Sequence, residues 1–275
     1  MSQEGIWHRL QNIDRRIIYW ILFIILAIPF ISPLGLPVAI SPQSQSLYDG
    51  IKQVKEGEVV VINISSGVSA WAECLPSLIV STKMLAQQGA KIIVWTTFVD
   101  GQLTYEAIVN GVPSLKQKTY GTDYVYLGYF AGQESGVAQL ARDIRSVFTV
   151  DYKNTPIDQL PIMTNVNRAQ DVKMVLSSDT GDVCDYYIRQ WQTPFGTLLA
   201  EIGIAMNFSA YQPHYKAGIL FGVSNGSRGG AEMEKLTGQL GQATTTMDAI
   251  NTSHLLVIIA IVLANLGYLA TRGKK

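Results

Sequence analysis

EVVVINISSGVSAWAECLPSLIVSTKMLAQQGAKIIVWTTF, residues 58–98, is the stretch on which the fold turns. Two runs rich in β-branched residues, Glu58 to Ile64 and Lys91 to Phe98, flank a helix-like segment from Ala72 to Gln88. Runs that are apolar at nearly every position, rather than at every second one, predict strands covered on both faces. Gly89 suits the helix end, since glycine takes up a left-handed cap without a Cβ clash. Pro76 must fall in the first turn of the helix or kink it. Strand, helix and strand in this order predict the crossover unit of a parallel sheet, with a right-handed connection.

Three further strands follow at Asp123 to Phe130 (DYVYLGYF), Val172 to Ser178 (VKMVLSS) and Lys216 to Val223 (KAGILFGV). Between them Glu134 to Phe148 places Val137, Leu140, Ala141, Ile144, Val147 and Phe148 on one helical stripe. Asp182 to Gln192 reads as another helix, extended after Pro194 by Gly196 to Met206, and Gln102 to Val112 as a short one. Thr149 to Asn167 reads as a long loop broken by Pro156 and Pro161. The alternation predicts an α/β domain over residues 41–252. It is a three-layer arrangement around a mainly parallel five-stranded sheet, Rossmann-like or flavodoxin-like.

An apolar stretch stands on each side of that domain. Ile17 to Ile40 (IIYWILFIILAIPFISPLGLPVAI) has no charge, and Leu255 to Ala270 (LLVIIAIVLANLGYLA) repeats the pattern. At a rise of ~1.5 Å per residue both predict transmembrane helices, over 17–40 and 253–271. Prolines at 29, 33 and 37 predict a kinked or unwound outer end of the first. Its length, and the lack of a small-residue cleavage site after it, favour a retained anchor over a signal peptide. Arg9, Arg15 and Arg16 precede the first span and Arg272, Lys274 and Lys275 follow the second, whereas the inner flanks carry only Lys52, Lys55 and Lys235. Residues 1–16 and 272–275 are therefore expected in the cytoplasm and the main domain outside it, with Tyr19, Trp20 and Tyr268 as an aromatic belt.

The 275 residues hold 21 Lys and Arg against 21 Asp and Glu. Six of the basic and two of the acidic residues (Glu4, Asp14) lie at the ends, which leaves 15 against 19 between the spans. The neutral total is thus a cancellation between cationic ends and a mildly acidic domain. With 15% charged and 48% hydrophobic residues, neither a disordered tail nor a basic nucleic-acid arm fits, and no nucleic-acid partner is expected. Two cysteines, Cys74 and Cys184, exclude a disulfide-stapled mini-domain and a thiolate zinc site. Both are expected as buried free thiols in preference to a disulfide.

Ligands of open parallel sheets bind beyond the carboxyl ends of the strands, and three loops there stand out. Ser65, Ser66 and Gly67, with Val68 and Ser69, offer small residues and backbone donors to an anion, or simply cap a helix. Their strand–Ser–Ser–Gly–helix order resembles that of membrane-bound serine peptidases of the signal-peptide-peptidase class. No catalytic motif matches residue by residue, so the resemblance brings no activity with it. Asp179, Asp182 and Asp185 lie within seven residues. Their spacing departs from an EF-hand, and a turn with an N-cap at Asp182 accounts for them better than calcium does. Gly222-Val223-Ser224-Asn225-Gly226 reads G-x-S-x-G, the form of a hydrolase nucleophile elbow, and Gly226, Arg228 and Gly229 supply amides and a charge for a small anion. A triad through it needs His214 as base and Asp179 or Asp182 as orienter, in an unusual chain order. A glycine loop that makes a tight turn or contacts a neighbouring subunit is the favoured reading.

In the second span Ala260, Ala264 and Gly267 form a small-residue stripe with Asn265 beside it, a face suited to helix packing. Sequons occur at Asn63, Asn207, Asn225 and Asn251, of which Asn63 falls in a core strand. The expectation is a membrane-anchored interaction or assembly protein whose partners are the lipid bilayer, copies of itself or other membrane-complex subunits, with no cofactor. The alternatives are an extracytoplasmic serine hydrolase and a small-ligand or calcium-binding module.

Overall fold

The computed structural model describes residues 13–272. The chain divides into two compact units, Val38–Ala243 and the chain ends Met1–Pro37 with Thr244–Lys275. Glu4, Arg9, Lys274 and Lys275 lie outside the described residues.

The larger unit is built on six parallel strands in the order β3-β2-β1-β4-β5-β6. They are β1 (Val59–Ser65), β2 (Lys91–Thr96), β3 (Tyr124–Tyr129), β4 (Met174–Asp179), β5 (Leu198–Gly203) and β6 (Gly222–Asn225). The order reverses between β1 and β4, the switch point of the doubly wound arrangement. Alternate side chains sort into two cores. Val61, Ile93, Val125, Val175, Leu199 and Val223 face the first, with Val137 and Leu140 of α5 (Gln133–Arg142) and Tyr187 of α6 (Val183–Tyr187). Ile62, Ile64, Val94, Leu176, Ala200 and Ile202 face the second. That face is covered by α2 (Pro42–Lys52), α3 (Trp71–Gln87), α4 (Gly101–Gly111) and α9 (Gly226–Leu236).

The strand–helix–strand unit stands as expected, with Gly89 left-handed at φ +75° and Pro76 buried inside α3. Three expectations are corrected. The sheet has six strands rather than five, because Leu198–Gly203 is a strand where a helical extension through residues 196–206 is expected. Glu201 interrupts its apolar run, so the pattern looks unlike a core strand; pairing with β4 over all six residues decides the matter. The helix of this region, α8 (Phe208–Lys216), comes later, after α6 has continued through a π-helical turn, Ile188–Gln192, into α7, Thr193–Phe195. Likewise β6 begins only at Gly222, so Ser224 lies within a strand rather than in a turn after it. The helix of the third strand's connection ends at Arg142, yet Ile144 and Phe148 stay buried in the first core.

The smaller unit contains α1 (Arg15–Ile31) and α10 (Gln242–Arg272). One helix among the described residues, α10 with 31 residues, is long and apolar enough to cross a membrane. The apolar stretch 17–40 is not one helix. Its helical part ends at Ile31 after 17 residues, ~26 Å long against a hydrocarbon core of ~30 Å. Pro33, which has no N–H and disfavours helical backbone at Ser32, stops it there. The segment beyond is fastened by Asp248 of α10, which is buried and accepts the backbone N–H groups of Leu34, Gly35 and Leu36 at 2.8–2.9 Å. Gly35, at φ +64°, lets three successive amides converge on one carboxylate. Ala260 and Ala264 share a shallow cavity with Ile18 and Leu22 of α1. Gly267 is buried and Asn265 is exposed.

Candidate functional site

Strand register builds two polar tiers near the carboxyl ends of the strands, on the first core face. Asn63 pairs with Trp95 on one side and Ser177 on the other, and Ser177 pairs with Glu201. Two residues further on, Ser65, Asp179, Gly203 and Asn225 stand side by side. Gly203 leaves the room that the Tyr211 ring of α8 fills; a Cβ there would lie 2.2 Å from the ring.

These tiers are sealed except at partly exposed Asn225. Asn63, Ser65, Ser177, Asp179 and Glu201 are all 0–1% exposed. Ser65 Oγ accepts from Asn63 Nδ2 at 2.7 Å and shares a hydrogen bond with Thr97. Ser66 is hydrogen-bonded to Ser178 at 2.7 Å. Neither of these two serines is open to an anion. The next backbone donor, Val68 N–H, is already held by the Asp100 carboxylate at 2.9 Å, and Gly67 is crowded by Phe98 and Asp100. With a single glycine and a carboxylate in this place, the first strand–helix turn does not suit a pyrophosphate.

Asp179 is a structural cap. Its two oxygens accept from Gly181 N–H at 2.7 Å and Cys184 N–H at 3.1 Å. Asp182 stands at the N-cap position as expected, but its side chain makes no capping bond: that bond comes from Asp179, while Asp182 accepts from the Tyr186 hydroxyl at 2.8 Å. Asp185 is turned to His214, 3.3 Å away. Each of the three carboxylates has a different partner, and no group of His, Cys, Asp and Glu among the described residues could hold a metal ion.

The G-x-S-x-G residues do not form a nucleophile elbow. Ser224 is fully buried and its hydroxyl is paired with that of Ser77, 2.6 Å away on α3. It points to the second core face, whereas His214 pairs with Asp185 at the start of α6, on the first. The structure does not bring Ser224, His214 and Asp179 or Asp182 together. Gly226 takes φ +55° at the start of α9. Gly229 lets α9 lie against β6, since a Cβ there would meet Ser224 Oγ at 2.4 Å and its backbone at 2.7 Å. Arg228 is paired with buried Glu232 at 2.9 Å, which also accepts from Ser41.

Burial dominates the titration of this region. Glu201 is fully enclosed, with the Cys184 thiol, the Ser177 hydroxyl and the Asp179 backbone amide close to its carboxyl oxygens and the Asp179 carboxylate near. Burial first, and the neighbouring carboxylate second, push its pKa well above the ordinary range, so it is held neutral. Burial pushes the Cys74 thiol up to about 12 and the Cys184 thiol well above its usual value. Both cysteines are free and buried, and neither has the thiolate character of a nucleophile.

Large apolar side chains are exposed on these loops. Val68 follows β1, Phe98 and Val99 follow β2, Leu103 opens α4, Tyr129 ends β3 and Met206 follows β5. All are exposed, Val99 at 87% and Met206 at 81%. Sequence patterning misses them because single apolar residues in loops have no period. Comparison of the chain with protein-family models, with curated proteins and with solved structures finds no match.

Proposed function

We propose that the chain is a membrane-anchored assembly protein whose α/β domain lies outside the cytoplasm and docks onto another copy through the carboxyl edge of its sheet. The observation that carries this reading is the set of exposed apolar residues on that edge: Val68, Phe98, Val99, Leu103, Tyr129 and Met206. Scattered exposed apolar residues are ordinary on a soluble domain. Large ones gathered on the loops of one sheet edge mark a contact surface.

The anchoring supports it. In this reading α1 and α10 both enter the bilayer, and the arginines and lysines at the two chain ends keep both termini in the cytoplasm. Two anchors confine the domain to a plane and raise its effective concentration toward its neighbours. Exposed Asn265 on apolar α10 adds a group that gains from an interhelical hydrogen bond in lipid.

A photo-crosslinking residue at Val99, in protein reconstituted into lipid vesicles, tests it. A dimer adduct at position 99, absent when the same residue replaces exposed Gln170 near the amino ends of the strands, is the expected result. Equal adducts at both positions, or none at 99, remove the reading.

A further inference from the structure

Away from the strand ends, on the second face of the sheet, α2, α3 and the segment after α9 enclose a half-open cleft of about 430 Å3. That is the size of a small-molecule pocket. Its floor is one stripe of α3, Pro76, Ile79, Val80 and Met84, spaced at helical intervals. Leu240, 57% exposed, forms part of the opposite wall.

The polar groups of the cleft are unequal in sign. Lys52 of α2 and Lys83 of α3 both line it. Lys52 Nζ stands 5.2 Å from the centre of the Tyr48 ring, and Lys83 Nζ donates to the side-chain carbonyl of Gln239. Neither lysine has a carboxylate within ion-pair distance among the described residues. The acid of the wall, Glu234, is turned to its own chain, where it accepts from Gly241 and Ala243 N–H at 3.0 Å. The cleft therefore offers an apolar floor and two ammonium groups that no carboxylate pairs, since the acid in its wall is held by backbone amides. A small inorganic anion would leave the floor uncovered, and a neutral hydrocarbon would leave the ammonium groups unused.

We infer that this cleft binds a single-chain anionic amphiphile, a long-chain carboxylate, with the chain along the α3 stripe and the head group between Lys52 and Lys83. The inference stands independently of the assembly reading, since the cleft shares no residue with the strand-end surface.

The test uses the full chain in phosphatidylcholine nanodiscs with a photoactivatable palmitate probe, and adducts are mapped by mass spectrometry. Labelling is expected on residues 76–84 and 237–242, displaced by palmitate and at least tenfold less effectively by hexadecanol. The paired substitution Lys52→Ala and Lys83→Ala is expected to weaken labelling at least tenfold. Ile79→Trp, which fills the cleft, should abolish it; if that variant fails to fold, Leu240→Trp on the exposed wall serves instead. Labelling confined to α1 and α10, undiminished labelling in a folded Trp variant, equal competition by hexadecanol, or displacement by millimolar acetate or phosphate alone would each overturn the inference.

Discussion

At Ser224 the polar atoms are turned into the protein: the hydroxyl is spent on Ser77, the following helix is pressed against it through Gly229, and nothing reaches solvent. At Val99, on the same edge of the same sheet, the side chain is 87% exposed and has Phe98 beside it. The serine loop has the letters of chemistry and the surroundings of a packing joint. The loops after β1, β2 and β5 have unremarkable letters and surroundings in which another molecule can be met. Accessibility, not motif, separates the two: Ser224 points out of β6 into the core, whereas Val99 stands in the loop beyond the end of β2.

The comparison breaks most visibly on the exposed side. Replacing Val99 and Met206 together by Asp should weaken association by more than about 2 kcal/mol, roughly thirtyfold, as loss of a buried apolar anchor does. Thermal unfolding should be unchanged, because neither side chain is packed. Sedimentation in detergent read beside a melting curve separates the two effects. On the packed side, Gly229→Ala should cost about 1–3 kcal/mol of stability, the range for overpacking, because the new methyl meets backbone as well as a hydroxyl. Denaturant unfolding measures it, and a loss under about 0.5 kcal/mol would show α9 free to shift.

Beneath both regions lies Glu201, held neutral in the folded chain. An acid whose folded pKa is raised keeps its proton after the unfolded chain has released it, so stability falls as pH climbs above the unfolded value of ~4.3. Glu201→Gln should remove that slope, up to about 1.4 kcal/mol per pH unit. The variant should match the wild type near pH 4 and melt progressively higher than it toward pH 8. Parallel melting curves across that range would place a charged carboxylate in the core. Smallest of all, Ser224→Ala should cost about 1 kcal/mol, one hydrogen bond to Ser77. It should leave every function untouched, and a serine-reactive fluorophosphonate should label neither form.

The strand–helix–strand unit of residues 58–98 is legible in the sequence because burial on both faces writes an apolar letter at nearly every strand position. β5 is not, because Glu201 stands in LLAEIG and its burial makes sense only once β4 and β6 flank it. The G-x-S-x-G letters misdirect for a related reason. Strand β6 starts late and includes Ser224, so the serine alternates onto the core side. The capping role moves from Asp182 to Asp179 because loop geometry, not spacing, aims a carboxylate at Cys184 N–H. The exposed edge is only partly legible beforehand: parallel strands bring Val68 and Val99 to one end of the sheet, but Met206 joins them only because β5 is a strand. Apolar composition is plain at both chain ends, while the early stop of α1 at Ile31 depends on where Pro33 interrupts the backbone.

Energy transfer between donor- and acceptor-labelled copies, co-reconstituted in vesicles and diluted with lipid, reaches the central claim most directly. Transfer that persists on dilution for the wild type and for Ser224→Ala, and collapses for the Val99→Asp, Met206→Asp variant, is the predicted result. Transfer unaltered in that variant, or lost on Ser224→Ala alone, would contradict it.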